Sequence, residues 1–189
     1  MEFWESIENI YSELEKKQNQ MDSILNESRE LIKLCSKAIT LMHVSDIKRA
    51  EEIVSELATR KDSLLKDSNS SGMGFYSVQP LQEYAEAKIL LGILKERRIM
   101  LCDEVGVPQE PYILGLMDVV GELKREVLQA LGSDRAKDAE EFLAYMKEIY
   151  DSTRGIRFSD SILPGFRRKQ DVARAQIESA WSDILSRKD

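Results

Sequence analysis

The sequence predicts an all-α protein, a single domain spanning 1–189 and built as one bundle of six to seven helices. Three observations lead there. Apolar residues recur with a period near 3.6 over several long stretches, and nowhere does period-two alternation last long enough for a strand. Only 4 prolines and 9 glycines interrupt 189 residues, which leaves room for long helices. Apolar content of 42% against 32% charged suits a chain of this length burying one substantial core. No internal repeat, low-complexity tract or interdomain linker divides it.

The first helix is predicted over 3–43, with Ile24, Leu31, Leu34, Cys35, Ala38, Ile39 and Met42 on its apolar side and a break expected at Gln18-Asn19-Gln20. Ser45-Asp46 supplies capping oxygens for a second, over 46–66. The stretch Asp67 to Gly74 reads as the clearest loop. Pro80 suits a first turn, and the helix it opens runs to about 102, where Val105-Gly106-Val107-Pro108 breaks the pattern. Pro111 begins a helix to about 131, and Gly132-Ser133 separates it from the next, over 134–152. After polar residues 153–161, a last helix runs over 162–187 with Val172, Ile177, Trp181 and Ile184 on its apolar side.

The net charge of −7 argues against a protein that coats nucleic acid everywhere, while leaving room for a local basic surface. Cys35 and Cys102 belong to no close-spaced pair and are expected to be free, buried thiols in a reducing cytoplasm. Met1-Glu2-Phe3-Trp4-Glu5 is acidic and lacks a signal-like apolar stretch, and no run approaches the length of a membrane span. A cytoplasmic location without membrane attachment follows as an expectation.

Two short stretches carry chemistry. Glu83 and Glu86 are three residues apart, and Asp118 and Glu122 are four apart, so each pair shares one side of its helix. Such pairs usually mark a solvated face. Position alters this for the first pair: on a helical wheel Glu83 and Glu86 lie with Ala87, Leu90, Ile93 and Leu94, opposite Lys88, Gly92, Lys95 and Glu96. Buried acids need a partner. The second pair lies away from the apolar Leu116, Val120, Leu123 and Val127, so a solvated face and a site remain equally open there. Gly115 and Gly121 permit close approach on that side, and Arg125 stands one turn beyond. If the helices pack together, four acids converge. The lack of any Glu-x-x-His motif favours an oxygen-only site for Mg²⁺ or Mn²⁺ over di-iron. Such an ion acidifies water and clamps phosphodiester oxygens, and a carboxylate not fully engaged with it would serve as general base.

Arg29, Lys33 and Lys37 form one stripe at i, i+4 and i+8, and Arg167 and Arg168 stand in a second basic stretch over 154–174. Both are candidates for phosphate contacts, and solvated helix faces are an equal alternative. The single histidine, His43, has no nucleophile partner in sequence and is expected to be a satisfied polar group near a helix end. Trp4, Trp181 and most tyrosines are expected in the core.

At Ser28-Arg29-Glu30 through His43, Leu81 to Ala87, Tyr112 to Leu123 and Phe166 to Val172, the chain resembles the translin family, over about residue 28 to the end. Within it the TRAX-like subunits, and their compact archaeal form, are most similar. The resemblance implies an all-α fold, a hollow shell of roughly eight subunits enclosing RNA, and metal-dependent endoribonuclease activity. Glu83, Glu86, Asp118 and Glu122 would hold Mg²⁺ (or Mn²⁺) and water; Arg29, Lys33, Lys37, Arg167 and Arg168 would contact RNA. Cleavage by metal-activated water would leave a 5′-phosphate. The shell would be a homo-oligomer or would include a translin-like subunit. The alternative implied by the same family is an RNA- or single-stranded-DNA-binding protein without catalysis, and a plain helical scaffold is the reading outside it.

Overall fold

The computed structural model describes residues 3–187; Met1 and Glu2 of the acidic N-terminal stretch lie outside them. Its elements are α1 (Phe3–His43), α2 (Ile47–Ser70), a 3-10 turn (Gly74–Ser77), α3 (Val78–Glu96), the single turn α4 (Cys102–Val105), α5 (Gln109–Gly132), α6 (Ala136–Thr153) and α7 (Phe166–Leu185). No described helix is long and apolar enough to cross a membrane.

Two helices make the middle of the bundle. α5 packs against α3, α6 and α7, and α3 packs against α1, α2 and α5. Because α3 has neighbours on three sides, it has no single apolar stripe: Leu81, Tyr84, Ala85, Ala87, Ile89, Leu90, Leu91 and Ile93 are all buried. Each fully buried leucine or isoleucine contributes on the order of 2 kcal/mol. Gly92, expected on the polar side, is buried too. A Cβ there would stand 2.6 Å from Cγ of Met100, so the turn after α3 folds back onto it.

Several boundaries shift, each for a local reason. α1 runs unbroken through Gln18-Asn19-Gln20, which contain no residue that forbids helix. α2 continues to Ser70, where the hydroxyls of Ser70 and Ser71 donate to the Asp67 carbonyl at 3.1 and 2.8 Å. Asp46 caps its start by accepting from the Arg49 amide. α3 ends at Arg97, whose φ of 55° is left-handed, well before the expected Val105-Pro108 break. α7 starts at Phe166 because Gly165, at φ +68°, turns the chain into it.

The core corrects other expectations. Trp4 and Trp181 are 73% and 52% exposed, and Val172 is exposed as well. The inner face of α7 is Phe166, Gln170, Ala173, Ile177, Ala180 and Ile184. Cys35 is buried, and burial pushes its thiol well above the usual range; Cys102 is only half-buried. α1 joins the core only from Ile24 onward.

Candidate functional site

The acid-bearing turns meet because one residue lacks a side chain. A Cβ on Gly115 of α5 would lie 2.6 Å from the Gln82 carbonyl oxygen, 2.9 Å from Cβ of Ala85 and 3.0 Å from the Glu86 nitrogen. Glycine therefore sets the crossing of α3 and α5 next to Glu83 and Glu86, with Asp118 and Glu122 one and two turns further along α5. α1 closes one flank through Cys35 and His43, and α7 the other through Lys169.

The four carboxylates lie within electrostatic reach of one another. Glu86 is buried, and burial, followed by the charges of Asp118, Glu83 and Glu122, pushes it up to about 9, with Lys169 opposing. Burial also raises Glu83, assisted by Asp118 and Glu122 and opposed by Lys169. Among the described residues neither Glu83 nor Glu86 has a hydrogen-bond or ion-pair partner. The second pair is not solvated decoration either. Asp118 and Glu122 are each only 26% exposed at the side chain. Asp118 accepts from Lys169 Nζ through one oxygen and from Gln82 Nε2, at 2.6 Å, through the other.

His43 fulfils the expectation of a satisfied polar group, with acids as its partners. It is buried, with Nδ1 2.6 Å from Glu126 Oε1 and Nε2 against Glu122 Oε2. Burial disfavours the imidazolium, but hydrogen bonds to Glu122 and Glu126, together with their charges, outweigh it and lift His43 to about 9. At neutral pH it is a cation donating both N–H groups.

Three partners of the cluster were missed in the sequence: Gln82, Glu126 and Lys169. One signal was available, because Asp118, Glu122 and Glu126 continue a single i, i+4, i+8 stripe, too many acids for one inward face without cations opposite. Arg125 is exposed and makes no ion pair among the described residues, so Asp118 is oriented by Lys169 and Gln82 instead.

The basic residues divide. Arg168 is exposed and, with Lys169, Asp118, Gly121 and Gln176, lines a cleft of about 390 Å³. Arg29 lines a second cleft, of about 380 Å³, together with Gln82. Arg168 thus borders Asp118, whereas the Arg29 cleft holds none of the four acids and reaches them only through Gln82, which donates to Asp118. Lys33 is exposed near Glu30, Lys37 lies in a groove with Arg49 and Glu52 of α2, and Arg167 is exposed.

Among the described residues no three acids, histidines or cysteines are placed so that they could hold one metal ion together. The donors nevertheless fit a hard divalent cation. They are oxygens, negative in excess, and among the described residues the buried Glu86 and the half-buried Glu83 have no partner. Lys169 and His43 offset part of the charge that such an ion would neutralise.

Fold and site together define a class: an all-helical bundle with a half-buried acid cluster edged by Arg168 and Lys169. Over residues 3–180 the chain matches the Translin family, and it belongs to that family. An uncharacterised protein of Methanocaldococcus jannaschii, MJ0175, is 31% identical over 175 residues, covering 92% of this chain and 78% of the relative. Among solved structures, AfC3PO in complex with duplex RNA is similar at a TM-score of 0.90 and 25% identity, covering 97% of this chain and 96% of that one. The crystal structure of apo-NeC3PO is similar in fold at a TM-score of 0.88 and 24% identity, covering 96% of each chain.

Proposed function

We propose that this protein is a TRAX-like, Mg²⁺- or Mn²⁺-dependent endoribonuclease that works within an oligomer of translin-family subunits, either a shell of one subunit type or one shared with a translin-like partner. The observation that carries the reading is Glu86: a buried carboxylate without a partner, held beside Glu83, Asp118 and Glu122. Natural proteins seldom keep such a group unless it has a task. The resemblance to AfC3PO, whose structure contains duplex RNA, supports RNA as the substrate class.

Glu83, Glu86, Asp118 and Glu122 would hold the ion. When bound, it supplies acidified water and a counter-charge for phosphate oxygens. The chain's own residues do the rest. Gln82 and Lys169 fix the Asp118 carboxylate, and His43 fixes Glu122. Arg168 and Arg29, on opposite flanks, receive backbone phosphates and set the strand across the acids. Glu83 or Glu86 takes the proton of the attacking water as the water oxygen bonds to phosphorus, the bond from phosphorus to the 3′-oxygen breaks, and the leaving 3′-oxygen takes a proton from solvent. The products would be a 5′-phosphate and a 3′-hydroxyl.

A labelled RNA incubated with Mg²⁺ is expected to be cut internally, and EDTA to stop the reaction. RNA bound but intact in Mg²⁺ and in Mn²⁺ would leave the second reading, a carrier of RNA or single-stranded DNA. That reading has one observation in its favour: Lys169 already occupies Asp118.

A second result does not depend on turnover. Both Glu86 and His43 have folded pKa values near 9, above their ordinary 4.5 and 6.5. A raised value contributes stability that is full below the ordinary pKa and lost as pH climbs through the folded one. The ion-free protein should therefore lose stability from pH 6 to pH 9. Mn²⁺ competes with the proton on Glu86, so the rise in Tm it causes should be larger at pH 8.5 than at pH 6. An equal rise at both, measured by thermal unfolding, would place the ion elsewhere.

A further inference from the structure

The first half of α1 has no place in the bundle. The alternation of four and three that buries Ile24, Leu31, Cys35 and Met42 runs back without a break through Met21, Lys17, Leu14, Ile10, Ile7 and Phe3. No described residue of the subunit covers it there. Phe3, Ile7, Ile10 and Leu14 are 73%, 42%, 52% and 59% exposed, and the adjoining Trp4 and Tyr11 are 73% and 67%. We propose that residues 3–21 are a docking helix for a second copy of this chain, and that the two copies of the segment pair antiparallel about a two-fold axis. The inference rests on the oligomer named above and assigns one of its contacts.

Size, charge and register favour that occupant. At roughly 200 Å² for a large side chain, the exposed parts of these six residues add to about 700 Å². Each partner in a stable complex covers about 800 Å². Lone exposed apolar residues are ordinary, but a continuous patch of this size on a helix marks an interface. The helix is about 28 Å long at this end, enough for a paired seam. Residues 3–22 hold five acids (Glu5, Glu8, Glu13, Glu15, Asp22) against Lys16 and Lys17, an excess of three. That polar face repels an anionic lipid surface.

Lys17 selects the direction. In a parallel pair it would face the partner's Lys17 inside the seam, two like charges without an acid between them. Antiparallel pairing centred on residue 12 sets Phe3 against the partner's Met21, Ile10 against the partner's Leu14, and Lys17 against the partner's Ile7. Each lysine stem then lies along apolar surface while its ammonium reaches the rim. Such a contact is isologous, with the same patch on both copies.

Light scattering with size exclusion tests this on the full chain. The double variant Ile10→Glu/Leu14→Glu should cut the mass of the assembly to half or less. Its far-UV CD should remain that of a folded helical bundle and its melt cooperative, because neither side chain touches the core, with the midpoint lower only by the stabilisation that association supplied. Lys17→Leu should lower the dissociation concentration at least tenfold. With Ser6→Cys/Gln20→Cys, mild oxidation should link two copies; within one helix these positions are about 21 Å apart and cannot bridge. A parent that is oligomeric and indifferent to Ile10→Glu/Leu14→Glu overturns the docking helix and leaves the oligomer standing. A monomeric parent overturns both. An oligomer that depends on these residues but gives no cross-link overturns the antiparallel register. RNA cleavage by Mg²⁺ is read separately and decides none of these.

Discussion

Glu86→Gln should reduce Mg²⁺-dependent RNA cleavage at least about 100-fold while leaving RNA affinity and folding intact. The effect is large because this carboxylate has no structural partner to serve: no described residue donates to it or pairs with it. Burial and three neighbouring acids hold it protonated at neutral pH until a cation displaces the proton. Glutamine keeps the shape and mimics the neutral acid, so the ion-free variant should melt no lower than its parent at neutral pH, and the loss of stability on raising the pH assigned to Glu86 should shrink. The amide can donate to the nearby carboxylates, which spares it the cost of an unpaired buried group. The measurement is the single-turnover rate on labelled RNA, beside a binding titration at two salt concentrations. Cleavage at the parental rate would remove Glu86 from the mechanism. Loss of binding in proportion to loss of cleavage would mean that Glu86 shapes the RNA surface instead.

Gly115→Val should cost about 3 kcal/mol of unfolding stability and abolish metal-dependent cleavage together. The atoms a side chain would meet are mostly backbone: the Gln82 carbonyl oxygen and the Glu86 nitrogen, with Cβ of Ala85 beside them. None is the far end of a flexible chain, so relief requires α3 and α5 to separate at the very turns that carry the acids. Alanine should do less harm, since it also gains about 1 kcal/mol of helix propensity. Gly132→Ala is the control, because a Cβ there meets nothing within 4 Å and stability should hold or rise slightly. Chemical denaturation of the three variants compares them directly. A Gly115→Val protein as stable as its parent would mean that the crossing of these helices is not fixed at this residue.

The two results test different links of one chain of cause. The first concerns a charge whose value depends on its surroundings; the second concerns the backbone approach that creates those surroundings. A variant that separates the helices should also lower the pKa of Glu86 toward the ordinary carboxylate range, because burial is its largest cause.

The amino-acid sequence alone determined the all-α class, the order of the long helices, and the placing of Glu83 with Glu86 and of Asp118 with Glu122 on one side each. All of these follow from the 3.6-residue repeat, which is local and needs only neighbours within a turn or two. Glycine at 115 was readable as a point of close approach, but not what it approaches. Only the tertiary structure decided who answers the acids: Lys169 meets Asp118 across 51 residues, and His43 reaches Glu122 and Glu126 across 79 and 83. It also decided that the apolar seam of α1 is core after Ile24 and bare before it, although the repeat is the same on both sides. Helical periodicity states which residues share a face. What that face meets depends on packing between distant segments, and no local pattern contains it.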